Sequence, residues 1–139
     1  MAITAGFPNQ AKQDFLDGVH QTSDTYKMAF YMAASASFDL SSTVYSATGE
    51  VTNGSVCPAG GVTLTGRTSG ISSTTGYIDF GDVSFTVTGS FSADSCIIYN
   101  STRSNKIVGI FSFGSTKTAT DGPFQVQIPS SGTGVIRFA

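Results

Sequence analysis

The chain is poor in charge: of its 139 residues only 12% are Asp, Glu, Lys or Arg, about half the usual share of a soluble domain. Its seven basic residues stand singly and the formal net charge is −2. There is thus no basic face of the kind that nucleic-acid binding requires. Tryptophan is absent, which removes the side chain most used for stacking on sugar rings. Glu50 is the only glutamate, so a paired-glutamate site is excluded, and His20 is the only histidine. Two cysteines, Cys57 and Cys96, cannot define a disulfide framework, and in a reducing cytoplasm both are expected as free thiols. No apolar run approaches the roughly 18 residues of a membrane helix. The opening "MAITAGFPNQAKQ" lacks the positive start and apolar centre of a secretory signal. The expectation is a chain that folds where it is made, away from membranes.

Ser, Thr and Gly take the place of charge, and the apolar residues alternate. One helix is predicted, over about 9–18, with Asn9 as its cap, Phe15, Leu16 and Val19 as its apolar edge, and Gly18 ending it in the left-handed conformation. Next, Tyr26, Met28, Phe30 and Met32 fall on one face of a period-two segment, with Thr25, Lys27, Ala29 and Tyr31 on the other. Further strands are predicted at 43–45, 62–64, 76–80, 83–87, 95–99, 106–113, 124–128 and 135–138. The run 107–113 is more continuously apolar, interrupted only by Ser112, as suits a central strand buried on both faces. Residues 100–105 form a polar hairpin connection. Neither an internal repeat nor a linker divides the chain. The expected fold is all-β: one domain over 1–139, an antiparallel β-sandwich or jelly-roll-like barrel with one short N-terminal helix.

The candidate chemistry resolves into structural roles. His20 has no partner at a recognisable spacing, and past a helix end its expected role is to meet the negative end of the helix dipole. Serine is abundant, yet no G-x-S-x-G elbow occurs. Cys57 precedes Pro58 with no base near it in sequence, so a structural thiol is expected. C-x-x-C, H-x-x-x-H and calcium-loop patterns are all missing. Asp79-Phe80-Gly81-Asp82 reads as a tight turn between strands. The sequons at Asn53 and Asn100 are expected to mark surface turns. No catalytic, cofactor-binding or metal-ligating residue is assigned, and no cofactor is expected.

The order of several segments carries a resemblance. Residues 12–20 read K-x-x-x-L-x-G-x-H, residues 24–31 follow D-T-x-K-x-A-L-Y with Phe30 in place of Leu, and residues 43–51 read T-x-Y-x-x-x-G-E-V. Residues 58–64 (P-A-G-G-V-T-L), 79–83 (D-F-x-D-V), 97–102 (I-I-Y-N-S-T) and Phe113-Gly114 follow in the same order. Together they resemble a group of small structural proteins encoded among the virion genes of tailed bacteriophages. The chain departs where that pattern has Gly-Tyr before Ala-Gly-Gly and this sequence has Val56-Cys57-Pro58. The resemblance implies a virion protein without enzymatic activity, made in the host bacterial cytoplasm. Its expected place is on the capsid as a decoration or cement protein, or at the neck or tail as an accessory. The implied partners are the major capsid protein or other virion proteins, and further copies of the chain. No nucleic acid or membrane is among them. Two-sided apolar strands are expected to find part of their cover on neighbours, with Tyr31 open to a partner. The alternative is a lectin-like module for host-surface glycans, favoured by five tyrosines and Asn/Asp-rich turns. Within the segment "TGEVTNGSVCPAGG", Glu50 is expected to orient a connector between strands through backbone hydrogen bonds.

Overall fold

Alternation of side chains sets the centre of the molecule. The computed structural model describes residues 2–129 and 135–138. After α1 (Asn9–Leu16), β1 (Tyr26–Tyr31) turns Tyr26, Met28 and Phe30 to one core cluster and Ala29 and Tyr31 to another. On one edge of β1 two short strands follow each other. β2 (Glu50–Val51) lies beside Phe30 and Tyr31, and β3 (Val62–Thr63) beside Lys27 and Met28. On its other edge lies β7 (Ser90–Asn100), which pairs in turn with β8 (Lys106–Thr120). These form a five-stranded antiparallel sheet. β4 (Thr68–Ser72), β5 (Thr75–Asp79) and β10 (Ile136–Phe138) make a second sheet in the order β10–β5–β4. β6 (Val83–Thr86) and β9 (Pro123–Val126) pair as a third. The fold is all-β, antiparallel and sandwich-like, with one short helix.

Phenylalanine fills the space between the sheets. The Phe30 ring meets Phe85 at 5.6 Å, Phe91 at 5.8 Å and Phe124 at 5.5 Å, mostly edge to face, the arrangement that ring quadrupoles favour. Burying each such ring stabilises the fold by about 1.5–3 kcal/mol. The other face of the central sheet packs Ala29, Tyr31, Ile97, Tyr99, Ile107 and Ile110 under residues 36–38 and 45. The two-sided apolar strand is therefore covered by its own chain. Tyr31 is fully buried, so the expected open face there is corrected. Its hydroxyl meets Ser46, 15 positions away in the covering loop, which is beyond the reach of periodicity.

Several element limits differ from those predicted. Pro8, not Asn9, occupies the N-cap position of α1, and no side chain caps it. Its C-terminal end follows the expected glycine logic, with Gly18 at φ +68°. Gly18 N–H donates to Phe15 O at 3.2 Å and Val19 N–H to Asp14 O at 2.9 Å, the paired bonds of a Schellman ending. Leu16 is 88% exposed, while Ala11 and Asp14 face inward. Residues 43–45 make a single bridge, Val44 to Lys106, rather than a ladder. β8 lies at the end of the sheet order and not at its centre. Its residues 107–110 are nonetheless buried, because Gly6 and Thr43 bond along its outer edge at Ile110 and Ile107. β8 runs seven residues past the predicted end, and β2 and β4 have too little apolar content to announce themselves.

Candidate functional site

The polar side chains collect at two joints. The first lies where α1, the segment before β1 and the β7–β8 turn converge. Asn100 is fully buried, and its Oδ1 accepts from the backbone N–H of Thr102 at 3.1 Å and Arg103 at 3.3 Å. That fixes the amide orientation, so Nδ2 donates to Asp24 Oδ2 at 2.8 Å and to His20 Nδ1 at 3.1 Å. His20 then carries its proton on Nε2, which lies 4.0 Å from Asp14 Oδ2 and has no hydrogen-bond partner. Lys106 Nζ reaches Asp14 Oδ1 at 3.3 Å, and Arg103 Nε reaches Asp24 Oδ2 at 3.0 Å.

Charge follows from this packing. The Arg103 guanidinium, with the Gln21 N–H and the Asn100 amide, holds the Asp24 carboxyl well below the usual carboxylate range. Burial between Phe15 and Tyr26 lowers the His20 pKa against the opposing pull of Asp14 and Asp24. His20 is therefore a buried, hydrogen-bonded core residue, neutral at neutral pH, whose ring meets the Asn100 amide rather than the helix end expected for it. This joint pins three chain segments together. Asp14, Asp24 and Asn100 each bond partners from another segment of the joint.

The second joint answers for the connector between β2 and β3. Glu50 Oε1 accepts from the Gly60 N–H at 2.9 Å and Oε2 from the Tyr45 hydroxyl at 2.7 Å. The Tyr99 hydroxyl donates to the Gly60 carbonyl, and its ring stacks on Tyr45 at 4.8 Å. Glu50 thus orients the connector through a backbone hydrogen bond, as its sequence position suggested. At the connector's end a β-carbon on Gly61 (φ +82°) would stand 2.1 Å from the Met28 carbonyl oxygen, so only glycine lets the chain turn into β3.

The other candidates also fall into structural places. Cys57 and Cys96 are both free and buried in the main cluster, and burial raises their pKa values to about 11 and about 12. Such thiols are protonated and unreactive at neutral pH. Asp79 and Asp82 sit where the chain crosses from β5 to β6 in different sheets. Asp79 Oδ1 accepts from the Phe80 N–H at 2.9 Å and Asp82 Oδ1 from the Ile128 N–H at 2.8 Å. Asn53 exchanges two hydrogen bonds with the Thr88 backbone. Asn100, expected in a surface turn, is instead sealed inside, where no glycan can be carried.

Sequence reasoning missed Asp14, Asp24 and Asn100 as a group, because Asp24 and Asn100 are 76 positions apart. The one local signal was Gln10 bonding Asp14 across a helical turn at 3.1 Å. Among the described residues no three His, Cys, Asp or Glu side chains group to hold a metal, and no helix is long and apolar enough to cross a membrane. Clefts of about 430 and 490 Å³ lie away from both joints. One separates β8 from β9 near Phe113 and Phe124, and the other lies between residues 5–7 and β8.

The molecule is thus an antiparallel β-sandwich-like protein whose polar clusters are joints between chain segments. The chain matches no known protein family, curated protein or solved structure.

Proposed function

We propose that the chain is a non-enzymatic structural protein of a tailed-bacteriophage virion, a capsid decoration or cement protein that binds the major capsid protein lattice. The observation that carries this reading is where the phage-like segments fall. The D-T-x-K-x-A-x-Y segment forms β1 and supplies Asp24 to the buried joint. The G-E-V segment supplies Glu50, and I-I-Y-N-S-T ends β7 and supplies Tyr99 and Asn100. In these three segments the resemblance thus falls on residues that hold the framework, as fits a scaffold whose outer surface meets a lattice. A capsid lattice would then be gripped by many copies, each with a modest interface, summed by symmetry.

With Tyr31 buried, the attachment surface lies elsewhere. The outer half of β8, largely exposed from Gly114 to Thr118, is the surface that fits. Co-sedimentation of the purified protein with empty capsids, and separately with tails, tests this. Saturable binding to capsids is the expected result, and binding to tails alone moves the protein to the neck or tail. Binding to a glycan array with no binding to either particle would replace this reading with the lectin-like one.

A further inference from the structure

The connector between β2 and β3 holds the chain's single Asn-Gly pair, Asn53-Gly54. Its tip, Gly54 to Val56, is exposed, and a β-carbon built on Gly54 would meet nothing within 4 Å. Among the described residues no protein acceptor meets the Gly54 N–H. The other asparagines precede Gln10, Ser101 and Lys106, whose side chains obstruct an approach of the backbone nitrogen to the carboxamide. Asn100 is in addition sealed inside the first joint. Asn53 alone has a carboxamide followed by an unobstructed backbone nitrogen.

Asn53 is also a tie. Its Nδ2 donates to the Thr88 carbonyl at 2.9 Å and its Oδ1 accepts from the Thr88 N–H at 3.0 Å, which holds the connector to the chain between β6 and β7. Its backbone N–H donates to the Cys57 carbonyl at 2.8 Å, and its carbonyl accepts from the Cys57 N–H at 3.2 Å. Cys57, at the base of this turn, is fully buried.

We propose that Asn53 is a self-modification site, converted through a succinimide with Gly54 to aspartate and isoaspartate, and that this conversion frees the connector from Thr88 and uncovers Cys57. The Gly54 nitrogen, its proton lost to hydroxide, forms a bond to Asn53 Cγ. The Cγ–Nδ2 bond breaks, and Nδ2 leaves as ammonia with a proton taken from water. One water then opens the ring at either carbonyl, giving aspartate, or isoaspartate with the main chain routed through the side chain. Water is the only other reactant. The Thr88 tie gates the step, because it holds the carboxamide away from Gly54 while it is made. Both of its bonds are solvent-exposed, where local opening costs least. After conversion the tie cannot re-form, since a carboxylate has no donor for the Thr88 carbonyl. Isoaspartate also lengthens the main chain inside the turn that the two Asn53–Cys57 bonds close. The change is irreversible and so records the age of each molecule. It rests on no part of the virion reading.

The test incubates the full chain at mildly alkaline and mildly acidic pH, with and without urea, and maps its peptides by mass spectrometry. The peptide holding Asn53 should gain about 1 Da, the difference between an amide NH2 and a hydroxyl, and should contain isoaspartate. The gain should be faster at the alkaline pH, faster again in urea where the tie is absent, and slower at Asn9, Asn100 and Asn105. Gly54→Ala should slow it roughly tenfold, because a methyl group then stands beside the attacking nitrogen. A thiol reagent should label Cys57 roughly tenfold faster in converted than in fresh native protein, and Asn53→Asp should show part of that rise from the outset. An Asn53 peptide that gains no mass, a gain that comes first at another asparagine, or a Gly54→Ala variant that converts as fast as the wild type would each overturn the site. Equal rates in native buffer and urea would remove the gate, and converted protein whose Cys57 labels no faster would overturn the uncovering. Particle binding enters none of these readouts, so this inference and the virion reading can fail separately.

Discussion

On the side of the central sheet that faces β6 and β9, the rings packed beside those two strands are Phe30, Phe85, Phe91 and Phe124, while Tyr26, on the same face but against Phe80, donates its hydroxyl to the carbonyl of Gln21 in irregular chain. On the opposite side, under residues 36–38 and 45, they are Tyr31, Tyr45 and Tyr99 with Phe38. The first side is closed by strands whose backbone groups satisfy one another, so a hydroxyl there would find no partner. The second is closed by irregular chain, which brings carbonyls without ladder partners. Tyr31 donates to the Ser46 carbonyl at 2.7 Å and Tyr99 to that of Gly60. A tyrosine can both fill such a space and satisfy the backbone that covers it. The choice between the two aromatic residues thus reports what kind of cover lies above each.

The harshest way to break the comparison is to empty the strand-covered side. Phe30→Ala should destabilise the protein by about 3–5 kcal/mol, since the ring packs on Phe85, Phe91 and Phe124 and the cavity cannot collapse between paired strands. Urea unfolding followed by circular dichroism measures this, and a loss below about 1 kcal/mol would mean a loosely packed side. A finer test exchanges the residue types at adjacent positions. Phe30→Tyr places an unpartnered hydroxyl in the dry cluster and should cost about 2 kcal/mol. Tyr31→Phe removes one hydrogen bond to Ser46 while keeping the ring, and should cost about 1 kcal/mol. Equal costs in the two variants would remove the distinction between the sides.

A pH series compares the joint beside α1 with both sides of the sheet. The His20 pKa is lowered on folding, so the unfolded chain binds its proton more readily than the folded one. Stability from this group is complete above the unfolded value of 6.5 and falls as pH drops through it toward the lower folded value. Asp24 is also depressed, from 3.8. Its contribution stands above that pH and is lost as pH falls below it. His20→Gln should therefore flatten the fall of Tm between about pH 7 and 5, leaving the steeper loss below about pH 4 in place. Identical slopes in variant and wild type would assign the upper transition to another group.

The smallest expected effect is on the thiols. Cys57 and Cys96 should react slowly with a thiol reagent in the native protein and both promptly in the unfolded, unreduced one. Fewer than two reactive thiols after unfolding would mean that the pair can oxidise.

The β character, the two faces of β1 and the glycine at the end of α1 were legible in the sequence. Each is a matter of neighbouring residues: alternation orients side chains by geometry alone, and Gly18 is fitted to its backbone angle wherever the helix packs. The role of Glu50 was legible too, because its partner Gly60 lies only ten positions away. The extension of β8 to Thr120 was not, since that half of the strand is exposed and polar, with pairing rather than periodicity holding it to β7.

By itself the sequence determined that the chain would be mostly β and, in β1 and β6, which side chains would share a face, because those depend on one residue's relation to the next. Tertiary structure alone decided what covers each face, and so made Tyr31 a core residue rather than a contact surface. It also decided that Asp14, His20, Asp24 and Asn100 would meet and that His20 would be neutral there. The physical reason is that burial and pKa depend on which distant segments arrive around a side chain, and no local pattern records their arrival.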